Sequence, residues 1–266
     1  HEKSVAICRL KRVTYDYKDD VEKYIPKSPK IKNGKKIALI GAGPASLTVA
    51  RDLLPLGYEC TIFEKDHKAG GLMRTNIPSF RLPADVLDEE IYRIIDMGAE
   101  LKLNSYIDRL KPVIDEYDSV FIGTGAPKGK DLNLKGREIS SENIHIGIDW
   151  LTSIAFEHVK KIGKKVVVIG GGNTAMDCCR SALRLGATDV KVTVRSPFSQ
   201  MKASEWEIEE TMEEGIPILD NTSPKEFLFD DKGKLCGVKF EKMEQVEIDG
   251  RKKMQSTGEE LTIECD

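Results

Sequence analysis

Two short stretches of this chain could hold an anion without any catalytic side chain. One is GAGPAS, residues 41–46, and the other is GGGNTA, residues 170–175. Each follows a short apolar run, KIALI or KVVVI, and precedes a segment with helical spacing. A strand that turns through glycine into a helix presents bare N–H groups where the helix dipole is positive, and together these hold a pyrophosphate. In the spacing G-x-G-x-x-G/A the first glycine makes the turn, the second lets the phosphates approach, and the third keeps helix and strand close. Gly170, Gly172 and Ala175 fill all three positions, with Asn173 and Thr174 between. Gly41 and Gly43 fill two, Pro44 and Ala45 follow, and Ser46 stands at the third.

The flanks separate the two loops. After the first, the next apolar run ends in Glu64 and Lys65, and Glu64 stands at about the 20-residue distance at which an acid bonds a free ribose. After the second, the equivalent run, KVTV, ends in Arg195 with no acid nearby. A guanidinium there forks onto the oxygens of a 2′-phosphate. The first loop therefore suits a nucleotide such as FAD, and the second leans toward NADP. Two such nucleotides in one chain imply hydride transfer from a nicotinamide to a flavin.

Both loops need a βαβ frame, and the surrounding sequence supplies two. In the first, ASLTVARDLLPLGY is a helix closed by Gly57, and CTIFEK is its second strand. ADVLDEEIYRIIDMG follows as an amphipathic helix, then LKLNSYI and a buried strand SVFIGTGA. In the second, NTAMDCCRSALRLG is the helix and DVKVTVRS the strand. ASEWEIEETMEEG is a further helix, with its acids on the solvated face around Trp206 and Met212. Beyond it, EFLFDDKGKLCGVKFEKM reads as a hairpin, QVEIDGRKKMQST as a loop and EELTIEC as a strand. Residues 1–30, polar and lysine-rich, read as an extended lead-in. The fold class is α/β with two Rossmann-like dinucleotide-binding domains. Residues 1–34 form the lead-in, 35–140 the first domain and 141–266 the second.

Composition removes several alternatives. The chain has 266 residues, 41 basic and 44 acidic, which gives no basic footprint for nucleic acid. No run approaches the roughly 20 apolar residues that span a bilayer. Of the six cysteines none forms CxxC or a metal-type spacing, so reduced thiols in a cytoplasmic protein are expected and a thioredoxin-reductase type of disulfide chemistry is not. Cys178 and Cys179 point about 100° apart on a helix and read as packing residues. His67, His145 and His158 are isolated. No catalytic side chain and no metal ligand set is expected.

The ordered set GAGPASL, FEK, AGGLMRTNIPSFRLP, YDSVFIGTGA and GKKVVVIGGGNTAMDCCRSALRLGA resembles the small (beta) subunit of NADPH-dependent glutamate synthase. It is also similar to the N-terminal flavin portion of dihydropyrimidine dehydrogenase and related electron-transfer flavoproteins. The resemblance implies an NAD(P)H domain inserted into an FAD domain. It implies that Gly41, Gly43, Pro44, Ala45 and Ser46 cradle the FAD pyrophosphate, with Glu64 on the ribose. Gly71 and Leu72 match a segment along the flavin, Arg81 sits in the matching FRLP stretch, and Thr124 and Gly125 match the turn between domains. Gly172, Asn173, Thr174 and Ala175 would contact NADPH, and Arg195 its 2′-phosphate. NADH stays open, because Ser196 and Phe198 stand where further arginines often follow. The resemblance further implies a later stretch that completes the FAD domain. It also implies an iron–sulfur domain or large catalytic subunit that receives the electrons, with clusters outside this chain, since Cys8 alone cannot hold one. A nucleotide-binding module that docks a partner without electron transfer is the alternative.

Overall fold

The computed structural model describes residues 5–139, 142–248 and 250–266. The lead-in is not extended throughout: residues Ile7–Asp16 form helix α1. Ile7, Leu10 and Val13 recur at helical spacing, and the prolines that argue for extended chain lie beyond this stretch. The segment is tied to the first unit by the Tyr15 hydroxyl and the Lys18 ammonium, which donate to Glu89 at 2.6 and 2.8 Å.

The first unit runs β1 (Lys36–Ile40), α2 (Pro44–Leu53), β2 (Glu59–Phe63), α3 (Leu72–Thr75), α4 (Ala84–Asp96), β3 (Glu100–Lys102), α5 (Leu110–Glu116) and β4 (Ser119–Ile122). Its strands form one parallel sheet in the order β3-β2-β1-β4. Leu39, Ala50, Leu54 and Ile62 are fully buried between sheet and helices, as a parallel sheet covered by crossover helices requires. Gly57 and Gly98 sit at φ +87° and +113°, so glycine closes both helical segments where a side chain would be strained. The strand SVFIG is less enclosed than its composition suggests. It is the sheet edge, and Ile122 is 57% exposed.

The second unit runs α6 (Gly147–Ala155), β5 (Lys165–Ile169), α7 (Asn173–Arg184), β6 (Asp189–Thr193), α8 (Glu205–Glu213) and β7 (Ile218–Leu219), with a parallel sheet β5-β6-β7. Helix α8 lies where the sequence puts it, and Glu205, Glu209, Glu210 and Glu213 are exposed as expected, but three residues on its inner face and two apolar ones depart from the expectation. Glu207, Ile208 and Thr211 are buried, while Trp206 and Met212 are 44% and 46% exposed. The carboxylate of Glu207 turns inward because Arg81 and the buried Arg180 meet it there.

A third, antiparallel sheet, β10-β9-β8, is built from β8 (Thr222–Phe229), β9 (Leu235–Ile248) and β10 (Arg251–Glu264). The stretch QVEIDGRKKMQST, expected as a loop, pairs with itself from Met254 opposite Gln245 to Arg251 opposite Ile248. Backbone pairing carries these strand ends, whose mixed polar sequence gives no alternating signal. Asp249 lies outside the described residues. Phe227, Val238, Phe240 and Ile263 form this sheet's core together with Val167 and Ile169 of β5. Leu134 already packs there, so the chain has crossed from the first unit before Ser140 and Ser141, the expected boundary, which lie outside the described residues. Among the described residues no helix is long and apolar enough to cross a membrane.

Candidate functional site

The carboxyl ends of β1, β2 and β4 bring the first group of expected residues to one end of a parallel sheet, where ligands of open α/β sheets bind. Gly41 turns at φ +92°, and a Cβ there would lie 2.7 Å from the Gly123 carbonyl oxygen. Gly43 is the N-cap of α2, in extended conformation and with no side-chain cap, so the first-turn N–H groups keep no side-chain partner. Gly71 closes over it: at φ +53°, its added Cβ would stand 2.8 Å from Gly43 Cα. Leu72, beside it, begins α3 and is partly exposed. Ser46 is wholly buried, and its fit is explained by Gly123, where a Cβ would overlap Ser46 Oγ. The substitution at the third loop position is thus matched by a missing side chain on the facing strand. The Ser46 hydroxyl has no hydrogen-bond partner among the described residues.

Glu64 is 6% exposed and lies beneath this loop. Its Oε2 accepts from the Ala42 N–H at 2.8 Å and its Oε1 from the Asp66 N–H at 3.1 Å, so one role of this acid is to brace the turn. Lys65 next to it is exposed, as are Thr124 and Gly125 at the end of β4, with Gly125 at φ +66°. Arg81 lies between α3 and α4. Its guanidinium is held by Asp177 and Glu207 of the second unit. Arg81, expected among the cofactor-binding residues, thus has both terminal nitrogens paired.

The second loop is built alike and surrounded differently. The Gly170 N–H donates to the Thr193 carbonyl at 3.0 Å, and Gly172, N-cap of α7, has no side-chain cap. A Cβ on Gly172 would meet nothing within 4 Å. The Gly171 carbonyl accepts from the N–H groups of Lys202 and Ala203, each at 3.0 Å, and Asn173 Oδ1 accepts from the Ser204 N–H at 2.8 Å. These bonds lay residues 201–204 along the loop as a wall. Between loop and wall opens a cavity of about 590 Å³, lined by Gly170, Gly172, Arg195, Lys202 and Lys253 among others. A second cavity, about 730 Å³, shares Gly170 and Gly172 and is bordered by Thr174, Ala175, Trp150 and the edge strand β5. The loop therefore stands between two spaces.

Lys202 and Lys253 escaped the sequence reading. Lys202 belongs to no motif, and Lys253 lies on a stretch that reads as loop. The cysteine pair is confirmed as packing. Cys178 and Cys179 are buried on α7, and burial pushes the Cys179 thiol up to about 12 and that of Cys178 higher still. Thiols so held are poor nucleophiles.

Residues 35–265 match the family described as pyridine nucleotide-disulphide oxidoreductase. The chain belongs to that family. Among curated relatives, this chain is 35% identical to the NADPH-Fe(3+) oxidoreductase subunit beta of Geobacter sulfurreducens over 99% of its own length and 40% of the relative's. It is 32% identical to the glutamate synthase [NADPH] small chain of Escherichia coli over 82% of its length and 49% of that chain. The likeness to the glutamate synthase small subunit inferred from motifs is borne out, and the chain spans less than half of each of these relatives. Among solved structures, FprA of Mycobacterium tuberculosis in complex with NADPH superposes with a TM-score of 0.74 at 18% identity, covering 86% of this chain and 68% of FprA. That likeness bears on the fold, and it agrees with the expected α/β class.

Proposed function

We propose that this chain is the nicotinamide- and flavin-binding part of an electron-transfer oxidoreductase, as in a glutamate synthase small subunit. The observation that supports it most is the pair of uncapped glycine N-termini, each at the carboxyl end of its own parallel sheet and each flanked differently. Gly41–Ser46 would hold the FAD pyrophosphate, with Gly71 and Leu72 beside it and Thr124 and Gly125 at the neighbouring strand end. Glu64 would add a ribose hydroxyl to the backbone bonds it already makes. Gly170–Ala175 would hold the pyrophosphate of NADPH, and Arg195 would bind its 2′-phosphate. Lys202 and Lys253 face the same cavity and supply the positive charge that Ser196 and Phe198 do not.

The bound groups would supply hydride transfer from nicotinamide to flavin, and then single-electron transfer to iron–sulfur clusters in another domain or subunit. The chain's own residues bind and orient, which agrees with the lack of an activated nucleophile among its buried thiols. Relatives named as subunits support a partner that takes the electrons. Five free cysteines among the described residues support a reducing, cytoplasmic setting.

The test is an anaerobic titration of the intact flavin-loaded protein with NADPH and, separately, NADH, following flavin absorbance. Rapid bleaching with NADPH and slower bleaching with NADH is the expected result. Flavin that stays oxidised with both nucleotides would refute hydride transfer.

A further inference from the structure

The two nucleotide-binding units meet through charged side chains that neither glycine loop uses. Phe80 and Arg81, between α3 and α4, reach across to α7 and α8. The Phe80 ring lies under two guanidinium groups, with centroid distances of 3.9 Å to Arg184 and 4.9 Å to Arg180. Arg81 Nη1 donates to both carboxylate oxygens of Asp177 at 2.7 Å, and Nη2 pairs with Glu207. The other oxygen of Glu207 accepts from Arg180 Nη1 at 3.2 Å. The side chains of Asp177 and Glu207 are 5% and 4% exposed, that of Arg180 7%. Nearby, Asn76 Nδ2 donates to the Ile148 carbonyl at 3.1 Å, and the His67 and Phe156 rings meet at 4.7 Å between centroids, tilted by 49°.

Charges withdrawn from water give little net adhesion, since an apolar contact of the same size would hold two units at least as well. What a planar guanidinium between two carboxylates adds is direction. The placement of this one is specific. Asp177 sits one helical turn beyond the second glycine loop. Arg81 ends the segment that starts at Gly71, whose Cα lies against Gly43 of the first loop. A short path thus runs from one loop to the other: Gly43, Gly71, α3, Arg81, Asp177, α7, Gly172.

We propose that Arg81 is a positioning residue that sets the register of the two units, so that a nicotinamide held by the second faces a flavin held by the first. The proposal rests on the hydride-transfer reading above. Its test uses the intact flavin-loaded protein without oxygen, with Arg81→Gln and Arg81→Lys compared to wild type for flavin content, NADP⁺ affinity and the limiting rate of flavin bleaching by NADPH. In Arg81→Gln, flavin content and NADP⁺ affinity should hold while the limiting rate falls roughly 100-fold, the order of loss that an ångström of misplacement produces. Arg81→Lys should recover part of that rate, because an ammonium reaches one carboxylate and cannot fork between two. An unchanged limiting rate in Arg81→Gln would overturn the proposal. So would a loss that follows lost flavin or lost NADP⁺ affinity, which would make Arg81 a ligand. Should Arg81→Gln fail to fold, Arg81→Lys carries the test alone, and a wild-type limiting rate in it would be the contrary result. A wild-type protein that neither nucleotide bleaches would remove the hydride reading, and this role with it.

Discussion

The two glycine loops share a backbone plan and differ in what encloses them. The first is shut in by its own main chain. Gly41 abuts the Gly123 carbonyl, Gly71 abuts Gly43, and Ser46 fills the space left by Gly123. The second stands open, with nothing within 4 Å of a Cβ on Gly172 and a cavity of about 590 Å³ beside it. A nucleotide at the first loop would be held by a rigid cradle, which suits a group that stays bound. One at the second would be held by long cationic side chains at a cavity mouth, which suits a group that enters and leaves each turnover. With the proposed occupants, the difference would be one of retention against exchange.

This contrast is open to attack by mutation. The largest effect is expected for Gly41→Ala. A positive φ and a backbone oxygen at 2.7 Å leave no room for Cβ, so stability should fall by roughly 2–5 kcal/mol from strain and overpacking together. Chemical denaturation and flavin content would both report it. Next comes Arg195→Gln, expected to lower kcat/KM for NADPH roughly 10- to 100-fold with NADH little changed, the scale of a lost charge-assisted bond. Lys253→Gln should act in the same sense but only a few-fold, as a single mobile ammonium would. Equal losses with NADPH and NADH would take the 2′-phosphate away from this cavity. The smallest effect on folding belongs to Gly172→Ala, where φ is −104° and the space is empty. Stability should change by less than about 1 kcal/mol, the cost of an alanine N-cap, while nucleotide affinity drops because Cβ occupies the phosphate approach. A large stability loss there would erase the contrast between the loops.

Much of the fold was legible because its signals are local. Each βαβ unit announces itself by an apolar run, a glycine turn and a helix-ending glycine, and Gly57, Gly98 and Gly215 all have positive φ. The loop residues and their flanking Glu64 and Arg195 were readable for the same reason. What the sequence hid depends on long-range partners. Arg81 and Asp177 are 96 residues apart, and nothing near either one signals the other. Glu207 looks like one more acid in a solvated run, and it is buried only because Arg81 and Arg180 meet it. Lys253 became a wall residue when a polar stretch paired as β10. The compensation between Ser46 and Gly123 was equally out of reach, since it joins a helix start to a strand end far along the chain.

The proposed electron transfer requires the two loops to hold two different nucleotides at the same time. The direct measurement is a competition on the intact protein: NADP⁺ binding followed by calorimetry with FAD already bound, while released flavin is monitored by fluorescence. One NADP⁺ per flavin, bound without releasing FAD, is the result this structure leads us to expect. Displacement of FAD by NADP⁺, or no NADP⁺ binding at all to the flavin-loaded protein, would contradict it.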